Sequence, residues 1–205
     1  MGIVIGMDEA GYGPNLGPLV ITATVWRVPG NPRQTDFWKS LEDVVRQTAT
    51  READRIHVAD SKVVYSPSRG LQPLERSIQT IFGLTPQNTS SFRNLCDWLM
   101  TSEFARLPSG EFPELLQRPP AKPLRNTQPG TKATSSALAA SFLDVEPWFQ
   151  QSDLPLPLSN EQNEIERLTN RLKSACDDAD IQLVQITSDV VLTERFNSVS
   201  DFYKS

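Results

Sequence analysis

The chain has 205 residues, 38% hydrophobic and 22% charged, which is long enough for a domain that buries roughly 70% of its unfolded surface without disulfide staples. Its two cysteines, Cys96 and Cys176, stand 80 positions apart with one histidine, His57, so a four-ligand Cys/His zinc site or an iron–sulfur cluster is excluded and any metal must be held by oxygen. The net charge of -5 excludes a global basic field, so phosphate binding has to be local.

Residues 2–8 (GIVIGMD) are short, apolar and β-branched, and 19–28 (LVITATVWRV) repeat that chemistry after a Gly-rich turn. The connection is too short for a crossover helix, so the two strands are predicted to pair antiparallel. A helix is expected from about Asp36, with Phe37, Leu41, Val44 and Val45 on one face, then a brief strand over 55–59 leading into Asp60-Ser61-Lys62. Leu71, Leu74, Ile78, Ile81 and Phe82 form a helical stripe, with Pro73 placed in a first turn and Gly83 placed to end it. Phe92, Leu95, Cys96, Leu99 and Phe104 form another over 90–107, which makes Cys96 a small core residue.

Nine of the 16 prolines fall in 108–158, the composition of a loop or insertion. Its middle carries Arg118, Lys122, Arg125 and Lys132 with no acid, which reads either as a solvated loop or as a basic arm that touches phosphates. Ser159-Asn160-Glu161-Gln162 fits a capping box for a helix carrying Ile165, Leu168, Leu172, Ala175 and Cys176, and 181–187 read as a strand. Strands alternating with helices behind an antiparallel hairpin predict one α/β domain over 1–205 with a mixed sheet. No apolar run reaches the ~20 residues of a membrane helix, and the opening MGIVIGMDEAG predicts no secretory leader, hence a cytoplasmic protein with no membrane partner.

The chemistry concentrates at Asp8-Glu9, at the end of the first strand and directly before Gly11 and Gly13. Carboxylates adjacent in a strand point to opposite faces, so the expectation is that the turn at Ala10-Gly11 lets them converge. Such a pair suits Mg²⁺ or Mn²⁺, which take oxygen ligands and keep waters for a substrate to displace.

The stretch GMDEAGYGPNLGPLV resembles the signature that opens the ribonuclease HII family: strand, Asp-Glu-Ala-Gly, a Gly-x-Gly turn, then Gly17-Pro18 before the second strand. Asp60-Ser61-Lys62 resembles that family's Asp-Ser-Lys segment, in the same order. The resemblance implies an RNase H-like fold and metal-dependent cleavage of RNA in RNA–DNA hybrids, or of duplex DNA containing ribonucleotides, giving a 5′-phosphate and a 3′-hydroxyl. It implies that Asp8 and Glu9 are catalytic metal ligands, that Gly11, Tyr12 and Gly13 read the ribose 2′-hydroxyl through the backbone, and that Ser61 and Lys62 hold phosphates. Two ions about 3.5–4 Å apart activate water and stabilise the leaving oxygen, and 2′-hydroxyl contacts tell RNA from DNA.

Tyr12 departs from the arginine usual between those glycines, leaving backbone donors and a ring able to stack on a base or sugar. The Pro-rich insertion has no counterpart in compact family members, which implies a divergent branch. The family's two further acids follow a later helix; aligned with 181–197, they fall beyond residue 205, and Asp189 and Asp201 match neither. The alternatives are a non-catalytic nucleic-acid-binding module or inactive fragment of the same fold, and a phosphate-binding domain of the actin and sugar-kinase type, which does not account for Glu9 or Asp60-Ser61-Lys62.

Overall fold

The computed structural model describes residues 1–11, 18–48, 54–101 and 153–191. In chain order these form β1 (Gly2–Ala10), β2 (Leu19–Val28), a 3₁₀ turn (Pro32–Gln34), α1 (Phe37–Ser40), β3 (Val45–Arg46) and β4 (Ile56–His57). There follow α2 (Ser61–Val64), α3 (Gln72–Phe82), α4 (Phe92–Thr101), α5 (Gln162–Asp178) and β5 (Gln182–Val191). The architecture is α/β, and its main sheet is wholly antiparallel in the order β1-β2-β5, while β3 and β4 form a separate parallel pair. The mixed sheet expected from the sequence is therefore divided between two sheets among the described residues. Tyr12, Gly13, Asp201 and the basic arm Arg118–Lys132 lie outside those residues.

The hairpin pairs as its β-branched pattern predicts, from Gly2 opposite Val28 to Ala10 opposite Val20. β2 buries apolar side chains on both faces. Ala23 and Val25 are buried on one, and Val28 is buried on the other beside Trp26. On the first face α4 lies against β5, where the Thr187 hydroxyl donates to the Leu99 carbonyl at 3.4 Å. On the second, Trp26 and Phe37 meet edge to face at 5.7 Å and pack against the core of Leu41, Val44, Val45, Ile56, Leu168, Leu172 and Cys176. Leu168, Leu172 and Cys176 come from α5, whose buried stripe begins at Ile165 and matches the predicted spacing.

Three local expectations are corrected. α1 is a single turn capped by the Asp36 carboxylate, and Val44 and Val45 reach the core from a turn and from β3, because Val45 pairs with Ile56. α3 has its predicted limits and buries Phe82 and packs Ile81 against the core as its stripe expects, but Leu71 and Ile78 of that stripe are exposed and Ser77, Gln79 and Thr80 are inside instead. The small hydroxyl residues allow close approach, since the Ser77 hydroxyl donates to the His57 carbonyl at 2.8 Å and the Thr169 hydroxyl to the Thr80 carbonyl at 3.3 Å. A Cβ on Gly83 would sit 2.5 Å from the Thr169 Oγ1, which shows how near α3 and α5 run. The third correction concerns the capping box, because α5 starts at Gln162 without a side-chain cap. The Ser159 N–H donates instead to Glu75 Oε2 at 2.7 Å, the Leu158 N–H donates to Glu75 Oε1, and Asn160 Nδ2 donates to Glu75 Oε2 at 2.8 Å. One carboxylate on α3 thus collects the chain as it enters α5. The same return is fixed upstream by the Phe92 N–H on the Leu154 carbonyl and the Leu156 N–H on the Ser90 carbonyl, both at 2.9 Å.

Among the described residues no helix is long and apolar enough to cross a membrane. Leu168 is 0% exposed, so Leu168→Ala is expected to lower unfolding free energy by about 2–5 kcal/mol in urea titrations. Ile78, 45% exposed on α3, is the matched control, and its replacement by Ala is expected to stay within about 0.5 kcal/mol.

Candidate functional site

The end of β1 is built by backbone geometry. Gly11 has φ +85°, and a Cβ there would lie 2.4 Å from the Pro18 carbonyl oxygen, so the chain leaving β1 presses on the chain entering β2 and only glycine fits. Asp8 and Glu9 stand immediately before this closure, both exposed. Pairing persists through Ala10, however, so Asp8 lies opposite Thr22 and Glu9 opposite Ile21. The two carboxylates therefore project to opposite faces and do not converge. The expectation of convergence assumed that extended structure ended earlier, and hydrogen bonding to β2 carries it past both acids.

Each acid acquires neighbours that the linear sequence does not reveal. The row of Asp8 continues to Thr22 and Ser188, whose hydroxyls are 2.9 Å apart across β2 and β5. Asp8 Oδ1 also accepts the Glu9 N–H at 2.9 Å. The row of Glu9 continues to Ile21 and Asp189. Asp189 is thereby on the same face as Glu9, two strands or about 10 Å away with Ile21 between them. Only the β2–β5 register, which shifts between Val25 and Trp26, reveals this.

A divalent ion shared by Asp8 and Glu9 requires both carboxylates within about 2.1 Å of one point. Donors on opposite faces of one strand do not meet that condition, and among the described residues no group of three or more His, Cys, Asp or Glu is arranged to hold a metal. As placed, these residues do not fit a two-metal centre. What they do form is an exposed acidic strand end flanked on one face by paired hydroxyls.

The Asp60-Ser61-Lys62 segment folds as the one-turn helix α2. Asp60 is its N-cap and accepts the Lys62 N–H at 2.8 Å, which commits that carboxylate oxygen to the backbone. Val64 is buried and anchors the turn, leaving Ser61 and Lys62 in solvent. The base of the segment is held by His57, whose Nε2 lies 2.9 Å from the Gln47 carbonyl while its own carbonyl accepts from Ser77. The only histidine of the chain is a buried structural residue in β4. A separate cavity of about 560 Å³, lined by Gln79, Thr85, Asn88, Gln162, Glu166 and Thr169 among others, contains none of the candidate site residues Asp8, Glu9, Gly11, Ser61 and Lys62.

Burial pushes the thiols of both Cys96 and Cys176 up to about 11, with Asp97 and Asp177 adding to the effect and Arg93 opposing it at Cys96. Both are protonated near neutrality, which lowers their reactivity; Cys176 is a core residue, and Cys96 is half-buried.

No protein-family model matches the chain, and neither does any curated protein or solved structure.

Two outcomes follow from this geometry. Gly11→Ala is expected to destabilise the hairpin by more than about 1 kcal/mol, read by thermal melting, because both the left-handed φ and the Pro18 carbonyl oppose a side chain. Alkylation of the native thiols at pH 7 is expected to run about a hundredfold slower than for a thiol of pKa 9, and to rise about tenfold per pH unit until the transition near 11. A fast reaction at neutral pH, followed by mass spectrometry, would contradict the burial argument.

Proposed function

We propose that the chain is a ribonuclease HII-like protein that acts on RNA within RNA–DNA hybrids or at RNA–DNA junctions, with Asp8 and Glu9 as its catalytic carboxylates. The observation that carries the reading is the exposed acidic end of β1, followed at once by position 11, which admits only glycine. A glycine beside the acids leaves the main chain open to close approach by a nucleic-acid backbone. On this reading Gly11, Tyr12 and Gly13 contact the 2′-hydroxyl, and Ser61 and Lys62, solvent-facing on α2, hold phosphates. The antiparallel β1-β2-β5 sheet with helices on both faces is compatible with an RNase H-like domain.

Mg²⁺ or Mn²⁺ would supply water activation and charge stabilisation in such an enzyme. The divergence of Asp8 and Glu9 means that the metal set requires carboxylates in addition to those described, or a rearrangement of the strand end. That same divergence favours a second reading, a module of this fold that binds hybrid nucleic acid without cutting it.

The two readings separate on a duplex carrying one embedded ribonucleotide, incubated with the 205-residue chain and Mg²⁺ or Mn²⁺. The enzyme reading expects cleavage that stops with EDTA and falls by about a hundredfold or more in Asp8→Asn. Binding without metal-dependent product overturns the enzyme reading and supports the module; in that case Lys62→Ala is expected to weaken binding and flatten its salt dependence by about one phosphate contact. Absence of both cleavage and binding removes both readings.

A further inference from the structure

The cavity of about 560 Å³ is formed by α3, the segment 85–90 and α5, and its volume lies in the range of small-molecule sites. Its lining is mostly hydroxyls and carboxamides, with Glu166 as the one ionisable group and no Lys, Arg or His. Gln79 is the informative residue. It is 7% exposed, yet it lines the cavity. Its Oε1 accepts the Thr89 hydroxyl at 3.5 Å, while its Nε2 has no hydrogen-bond partner among the described residues. A carboxamide buried to that degree costs the folded state unless its donors are answered, and the space in front of these donors is the cavity.

The walls divide into donors and acceptors. Asn88 Oδ1 is committed to the Ser90 N–H at 2.9 Å, which leaves the Asn88 Nδ2 to donate, as Gln79 does. On α5, Gln162 Nε2 donates to Glu166 Oε1 at 3.0 Å, which leaves Gln162 Oε1 and Glu166 Oε2 to accept. An occupant therefore has to accept on the side of α3 and the 85–90 segment, and donate on the side of α5.

We propose that this cavity binds a neutral, polyhydroxylated small molecule of mono- or disaccharide size. Its oxygens accept from Gln79 and Asn88, and its hydroxyl protons go to Gln162 and Glu166. A hydroxyl both donates and accepts, so one polyol satisfies both walls. An anion would meet Glu166 with no opposite charge in the lining. A simple ammonium ion answers Glu166 but brings no acceptor to Gln79. An apolar ligand would desolvate all four side chains and pair none of them. The site shares no residue with the acidic strand end or with α2, so it stands apart from the nuclease reading.

Heteronuclear NMR of the side-chain amides in the 205-residue chain tests this, by titration with glucose, trehalose and gluconate and without nucleic acid or metal. Glucose or trehalose is expected to move the Gln79 and Asn88 amide signals along a saturating curve. A Kd of about millimolar order is expected for about a dozen or two heavy atoms at ordinary ligand efficiency. Saturation separates binding from the general exclusion of sugars from protein surfaces. Gluconate is expected to bind at least about tenfold more weakly than glucose. Gln79→Met is expected to weaken binding by about tenfold while its melting temperature stays level or rises, because an unanswered buried amide has been removed. If Gln79→Met melts early, two exposed positions give the same reading: Asn88→Asp, which keeps the bond from Ser90 and loses the donors, and Glu166→Ala. No saturable shift with either sugar overturns the proposal. So does gluconate binding as tightly as glucose, or sugar binding indifferent to those variants that melt normally.

Discussion

The arrangement depends on β2 burying apolar residues on both sides. A strand with one wet face can stand at the margin of a sheet, but one that buries Ala23 and Val25 on one face and packs Trp26 and Val28 on the other must be flanked by strands and covered twice. β1 takes one flank and β5 the other, so residues more than 150 positions apart become neighbours. α4 and the α5-centred core then fill the two faces. The position of the acidic strand end is a consequence: Asp8 and Glu9 are where they are because β2 holds β1 in register to Ala10.

Much of this was legible in the residues. The hairpin followed from two β-branched runs around a Gly-rich turn, and α5 from apolar residues at helical spacing, because both signals depend on periodicity alone. The buried face of α3 was legible only in part, since Ser77 and Thr80 read as polar until their hydroxyls find carbonyls of β4 and of their own helix. Val45 likewise looked helical because spacing cannot register its pairing with Ile56.

At the candidate site, residue types were readable and directions were not. Two adjacent acids at a strand end converge or diverge according to where pairing stops, and that is decided by β2, not by β1. The relation of Glu9 to Asp189 depends on a register established after α5 has returned the chain to the sheet. Asp60 shows the opposite case: its role as a helix cap is local, and a short polar residue before Ser61-Lys62 carries that signal itself.

Glu75 has a consequence of a different kind. Two of its three hydrogen bonds go to main-chain N–H groups of Leu158 and Ser159, and the third goes to the Asn160 side chain. Every residue except proline offers the same N–H, so substitutions at 158 and 159 leave those bonds available, whereas position 75 needs a carboxylate of that length. Selection on this junction would therefore be lopsided, strict on α3 and permissive on the strand of chain that α3 grips. The proline-rich segment could be lengthened or rewritten upstream while its point of return to the domain stayed where it is.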